Sequence, residues 1–216
     1  MSFDVICFDC DSTLSKIEGI DKLGKRAGLG DRLAALTDAA MNGIVPLEAV
    51  YEQRLSLIKP DQASIDWLAD LYIAEQVDGV VEVFAALSAQ GKQVHIISGG
   101  LRPAILPLAH LLGIPETHVH AVDIYFNEDG SYRDYERDSP LARTGGKAVI
   151  TGRLIQHGTL VMIGDGKTDM EAKQAGAYTI GFGGVVDREI VREQADVYIS
   201  ETNLLAVLAH ILTTAG

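Results

Sequence analysis

Phe8-Asp9-Cys10-Asp11-Ser12-Thr13-Leu14 follows the apolar run Val5-Ile6-Cys7-Phe8, and the reading of this junction decides the fold. Four apolar residues in a row read as a strand buried on both faces. Asp9 and Asp11 then stand at its C-terminal end. In an extended chain, residues i and i+2 point to the same side. Two carboxylates facing one way repel each other, so a purely structural strand end would avoid them. A cation site or acid–base chemistry would want them.

Outward from this junction the chain divides in two. Residues 15–75 carry helical spacing and no strand pattern, with a break near Gly28 and Gly30, Pro46 opening one helix, Pro60 ending it and Asp61 capping the next. From residue 76 onward, strand and helix patterns alternate. Strands are expected at 93–97, 118–125, 160–163, 178–182 and 196–199, with helices at 80–90, 102–112, 145–155, 167–175, 187–194 and 204–213. Asn127-Glu128-Asp129-Gly130 is a hairpin turn. The expectation is an α/β fold. A doubly wound, Rossmann-like parallel sheet is built from 1–14 and 76–216, with a helical-bundle cap inserted at 15–75 and a small β-hairpin flap. Such sheets bind ligands outside the C-terminal ends of their strands, where Asp9, Asp11, Ser98, Asp165 and Asp169 fall.

Composition narrows the function. The chain has 216 residues, of which 47% are apolar, and a net charge of −12, which argues against nucleic-acid binding. No apolar stretch is long enough to span a membrane, and Met1-Ser2-Phe3-Asp4 does not resemble a signal peptide, so a cytoplasmic protein is expected. Monomer and homodimer both stay open. Cys7 and Cys10 form a C-x-x-C pair, but Cys7 lies inside the apolar strand and the chain has two cysteines in all. They read as buried hydrophobes rather than a redox or zinc pair. The six histidines show no metal-ligand spacing and are read as structural.

Gly164-Asp165-Gly166-Lys167-Thr168-Asp169 sets two more carboxylates at a strand end. By themselves they suit a helix N-terminus. Together with Asp9 and Asp11 they make four converging acids, costly unless a hard cation resolves them, and Mg²⁺ suits an all-oxygen set. Ser98-Gly99-Gly100 offers a hydroxyl and backbone N–H groups before a helix, an anion site in outline. Lys147, in Gly145-Gly146-Lys147, places an ammonium at another helix start, where the dipole opposes it unless an anion is shared. A carboxylate nucleophile, a second carboxyl, a hydroxyl, a lysine and Mg²⁺ suit phosphoryl transfer through an aspartyl-phosphate.

Asp9-Cys10-Asp11-Ser12-Thr13, Ser98-Gly99-Gly100, Lys147 and Gly164 to Asp169 resemble, in order and spread, the four motifs of the haloacid-dehalogenase-like phosphatases. The resemblance implies that Asp9 is the nucleophile and Asp11 the general acid and base. It implies that Mg²⁺ is held by the Asp9 carboxylate, the Asp11 carbonyl and Asp165, that Asp169 supports the metal's water shell, and that Ser98 and Lys147 hold phosphate oxygens. Glu18, Met41-Asn42-Gly43, Val45-Pro46, Glu52-Gln53-Arg54-Leu55 and Gly181-Phe182-Gly183-Gly184 narrow the resemblance to the phosphoserine phosphatases, enzymes of serine biosynthesis. By that similarity Glu18 accepts the substrate's amino group, Arg54 pairs with its carboxylate, Met41 packs near the substrate, and Gly99 and Gly100 bring backbone to the ligand. Arg188 assists nearby. Lys167 and Val185 depart from the family pattern.

The implied activity is hydrolysis of O-phospho-L-serine to L-serine and phosphate. Another small phosphomonoester, or phosphate transfer to a second alcohol such as homoserine, keeps the same chemistry. A phospho-accepting signalling module also uses an acidic cluster, a hydroxyl and a lysine, but the helical insertion and Asp11 argue against it.

Overall fold

The computed structural model describes residues 3–30, 33, 36, 44 and 46–212. Six strands form one sheet: β1 (Val5–Phe8), β2 (Gln93–Leu101), β3 (Val119–Val122), β6 (Leu160–Gly164), β7 (Tyr178–Phe182) and β8 (Val197–Ile199), in the order β3-β2-β1-β6-β7-β8. Every neighbouring pair is parallel. β1 lies at the centre, with Phe8 opposite Ile96 on one side and Ile163 on the other. Its side chains are fully buried, as the unbroken apolar run requires of a strand covered on both faces. The strand order turns back at β1, and that reversal opens a crevice at the C-terminal strand ends.

β4 (Ile124–Phe126) and β5 (Tyr132–Tyr135) form the expected antiparallel hairpin, closed by Asn127 N–H donating to Ser131 O at 2.9 Å and by Gly130 at φ 80. The single strand expected over 118–125 is split. A 3-10 turn at Glu116–His118 precedes β3, and Asp123 separates β3 in the main sheet from β4 in the flap. β2 is longer than expected. Ser98, Gly99 and Gly100 belong to the strand rather than to a loop, and the β2–β3 register shifts between Ile97 and Leu101. Glycines suit such an irregularity because they let the backbone bend without a side chain to place.

The described part of 15–75 carries α1 (Gly19–Arg26), α2 (Leu47–Ile58) and α3 (Gln62–Ala74) and no strand of the sheet. The Asp61 carboxylate accepts from Ser64 N–H at 2.8 Å and caps α3, as expected. Lys59 ends α2 in the left-handed region at φ 46, just before Pro60. α1 stops at Arg26, ahead of Gly28 at φ 76.

Beyond the insertion come α4 (Val80–Ala89), α5 (Arg102–Leu111), α6 (Gly146–Leu154), α7 (Lys167–Met170), α8 (Glu189–Gln194) and α9 (Leu208–Ile211). α7 is shorter than expected and continues as a 3-10 turn to Ala175. α3 packs against both α1 and α5, so the insertion leans on the sheet's own helices. Among the described residues no helix is long and apolar enough to cross a membrane.

Candidate active site

The chain leaves β1 at Asp9 and folds tightly over Cys10, whose carbonyl accepts N–H groups from Thr13, Leu14 and Ser15. Ser12 sits at φ 52 inside this turn, a left-handed conformation uncommon for a residue with a side chain. The pleat therefore ends at Phe8, and Asp9 and Asp11 meet different partners instead of lying side by side as extended geometry predicts.

Asp9 turns into a buried cluster. One carboxylate oxygen from each of Asp9, Asp165 and Asp169 lies within 4.8 Å of the others. Lys147, at the start of α6, reaches in from the side. Its Nζ is 2.9 Å from Asp9 Oδ1 and 2.5 Å from Asp169 Oδ1. Asp169, in α7, also accepts from Gly166 N–H at 2.9 Å. Asp165, just past β6, is 3.3 Å from Arg188 Nε. Gly164 is required here, because a Cβ on it would stand 2.1 Å from Asp169 Cγ.

Burial dominates the electrostatics. It pushes the Asp165 and Asp169 carboxyls up, and the Asp9 charge adds to the effect in both. Burial opposes the Lys147 ammonium, but Asp169 and Asp9 outweigh it and raise its pKa. Three carboxylates share Lys147 and Arg188, and the donor set is all oxygen. It fits a divalent hard cation such as Mg²⁺. The Asp11 carboxylate is outside this cluster, so four side chains do not converge as the sequence suggested.

Asp11 turns towards the insertion. Its Oδ1 accepts from Gly19 N–H at 3.1 Å and from the Tyr72 hydroxyl at 2.6 Å. Burial, then the Asp9 charge, raises its pKa. A carboxyl held partly protonated is the state a general acid needs.

One cleft is lined by Asp9, Asp11, Ser98 and Lys147 together with Glu18 and Arg54. Ser98 is buried, and its Oγ accepts from Gly100 N–H at 3.0 Å. Gly99 and Gly100 line the same cleft. Glu18 precedes α1, and its Oε1 accepts from the Ser12 hydroxyl at 2.8 Å, while Arg188 stands 3.8 Å away. Its Oε2 is buried with no hydrogen-bond partner. Burial first, then Asp11 and Asp165, pushes the Glu18 carboxyl well up. Arg54 is 4% exposed, and its guanidinium lies 5.8 Å from the centre of the Tyr51 ring. Arg54 lines the cleft, and a planar guanidinium is the side chain best shaped to bind a carboxylate.

Arg188 is thus drawn into the site through Asp165 and Glu18. Met41 lies outside the described residues. Lys167 and Val185 are half-buried and do not line the cleft. Cys7 and Cys10 are free and buried. Burial raises both thiols, and Asp11 and Asp9 raise Cys10 further, so neither favours a thiolate.

Sequence reasoning missed two tyrosines. Tyr72 reaches Asp11, and Tyr51 donates to Gly99 O at 3.0 Å. Each is a helical aromatic that reads as core, with no signal to mark its hydroxyl.

Comparison with known proteins agrees with this geometry. The model of the haloacid dehalogenase-like hydrolases matches residues 3–176. The chain is 38% identical over 203 residues to a phosphoserine phosphatase of Bos taurus, covering 93% of this chain and 90% of that protein. It is 39% identical over 207 residues to that of Homo sapiens, with the same coverage. A solved structure described as a phospho-aspartyl intermediate analogue of phosphoserine phosphatase superposes with a TM-score of 0.83 at 25% identity, covering 98% of this chain and 100% of that one.

Proposed function

The chain belongs to the haloacid dehalogenase-like hydrolases and, within them, to the phosphoserine phosphatases, which makes it a phosphomonoester hydrolase; on that premise we propose that it converts O-phospho-L-serine to L-serine and phosphate, with Asp9 carrying the phosphoryl group and Mg²⁺ as cofactor. The carrying observation is a single cleft lined both by Asp9, Asp11, Ser98 and Lys147 and by Glu18 and Arg54. The first set suits a phosphate and the second an amino acid.

Asp9, Asp165 and the Asp11 carbonyl would hold the ion, with Asp169 supporting its waters. When bound, Mg²⁺ supplies positive charge against the phosphate and the carboxylates. The Asp9 carboxylate attacks phosphorus as the bond to the serine oxygen breaks. Asp11 gives that oxygen its proton. Asp11 then takes a proton from the water that attacks the phospho-enzyme, releasing phosphate and restoring Asp9.

Ser98 and Lys147 hold phosphate oxygens. Lys147 already spans Asp9 and Asp169, so its ammonium is in place for an anion that arrives at Asp9. The unpartnered Oε2 of Glu18 awaits the ammonium of the substrate. Arg54 takes the carboxylate, for which a planar guanidinium suits two parallel hydrogen bonds. The free, buried cysteines and acidic composition accord with a cytoplasmic enzyme.

The test is phosphate release from a panel of phosphomonoesters, with Mg²⁺ present or chelated and with acceptor alcohols such as homoserine present or absent. Phosphoserine should give the highest kcat/KM, only with Mg²⁺, and free phosphate should account for the phosphoserine consumed. A better substrate in the panel would overturn the substrate assignment. Phosphate appearing on the acceptor would overturn hydrolysis.

A further inference from the structure

The insertion supplies both donors to Asp11. Gly19 is the first residue of α1 and Tyr72 lies near the end of α3. Their N–H and O–H groups both go to Oδ1, at 3.1 and 2.6 Å. A carboxylate oxygen has two lone-pair sites, so Oδ1 is saturated. Oδ2 faces the other way and lies 3.5 Å from where a Cβ on Gly100 would stand, on the strand that carries Ser98. The space at Gly19 is shaped to the same end. A Cβ there would sit 2.1 Å from Tyr72 Oη, so the phenol occupies the room a side chain would take. Tyr72 is itself 0% exposed.

We propose that Tyr72 is a positioning residue for proton transfer: its hydroxyl, with Gly19 N–H, pins Oδ1 of Asp11 so that Oδ2 carries the exchanged proton. This rests on the phosphatase reading above and adds which oxygen works and what aims it. As Asp9 forms its bond to phosphorus, the bond from phosphorus to the leaving oxygen breaks, and the proton on Asp11 Oδ2 moves to that oxygen. In the second half, water loses a proton to the same Oδ2 while its oxygen bonds phosphorus and the bond to Asp9 breaks. Without Tyr72 the carboxyl turns about its Cβ–Cγ bond and the proton is misdirected. In the first half the loss falls on leaving groups that need a proton; in the second it is shared by every substrate, because the phospho-enzyme is the same.

The experiment compares kcat/KM, which reports the half-reaction up to loss of the leaving group, for the Mg²⁺-loaded enzyme on phosphoserine and on p-nitrophenyl phosphate, whose phenolate leaves without help. Tyr72→Phe should lower kcat/KM on phosphoserine on the order of 10-fold or more and kcat/KM on the aryl ester by no more than a few-fold. Gly19→Ala, which pushes the phenol away, should show the same split. Tyr51→Phe removes another hydroxyl that joins the insertion to the sheet, the one on Gly99 O, and should depress both substrates equally. Equal losses of kcat/KM on both esters in Tyr72→Phe, or none, would overturn the assignment. Wild-type enzyme inactive on both esters would overturn the phosphatase reading itself, and this assignment with it.

Discussion

The Lys147 ammonium stands 2.9 Å from Oδ1 of Asp9, both side chains almost wholly out of water. The same nitrogen holds Asp169 at 2.5 Å. One lysine therefore compensates two buried acids. Removing one partner of such a contact leaves charge buried and unpaired, which costs far more than the pair contributes. Lys147→Met should lose on the order of 3 kcal/mol of folding stability as well as turnover. Denaturant unfolding at neutral pH checks the first and phosphate release the second. A midpoint equal to wild type would contradict the pairing.

Adding Mg²⁺ should raise the thermal midpoint of the wild-type protein, because an ion that binds only the folded state stabilises it by mass action. Asp165→Asn should abolish that rise. Gly164→Ala should blunt it too, since the new methyl would collide with the Asp169 carboxylate. A Gly164→Ala protein with a wild-type Mg²⁺ response would show that the Asp169 position is not needed.

Much of this was legible in the sequence, for identifiable reasons. The apolar run of β1 has no polar face, so its burial follows directly, and the acids at the ends of β1 and β6 mark the working edge of the sheet. The pairing of Ser12 with Glu18 is local, only six residues apart. Other features left no trace. The divergence of Asp9 and Asp11 depends on the turn at Ser12, whose left-handed φ breaks the two-residue alternation. The contact from Tyr72 to Asp11 joins residues 61 positions apart. The fourfold carboxylate convergence was therefore an over-reading of spacing: three acids meet, and the fourth is turned away by the insertion.

Selectivity should reside in the pair that holds the amino acid. Arg54→Ala should reduce kcat/KM on phosphoserine on the order of 10- to 100-fold, as expected for lost hydrogen bonds to a charged group. The aryl ester carries no carboxylate and should be much less affected. Glu18→Gln should act in the same direction through the amino group. Equal losses on both substrates would remove these residues from recognition.

Acid stability should depend on a histidine cluster between β2 and β3 that does not line the cleft. The His95 ring stacks on His118 at 4.0 Å and on His120 at 5.3 Å, and His95 Nδ1 lies 3.1 Å from His120 Nε2. Burial, then neighbouring imidazoles, holds His95 down to about 3 and His120 to about 4. In the unfolded chain these groups take protons below about 6.5. The unfolded state thus binds more protons in that window, and the histidine contribution to stability falls as pH drops from about 6.5 towards 4. The raised site carboxyls act with the opposite sign, so the readout is a difference. The His95→Phe/His120→Phe variant should gain on wild type in unfolding midpoint as pH goes from 7 to 5. A pH-independent difference would contradict the burial argument.

The most direct measurement traps the phosphoryl group on the enzyme. Wild-type protein turning over phosphoserine labelled in its phosphate, with Mg²⁺, is quenched in acid and digested. The label should appear on the peptide containing Asp9, stable to acid, released by hydroxylamine, and absent from Asp9→Asn. Turnover without label on Asp9, or label on Ser98 instead, would contradict the account.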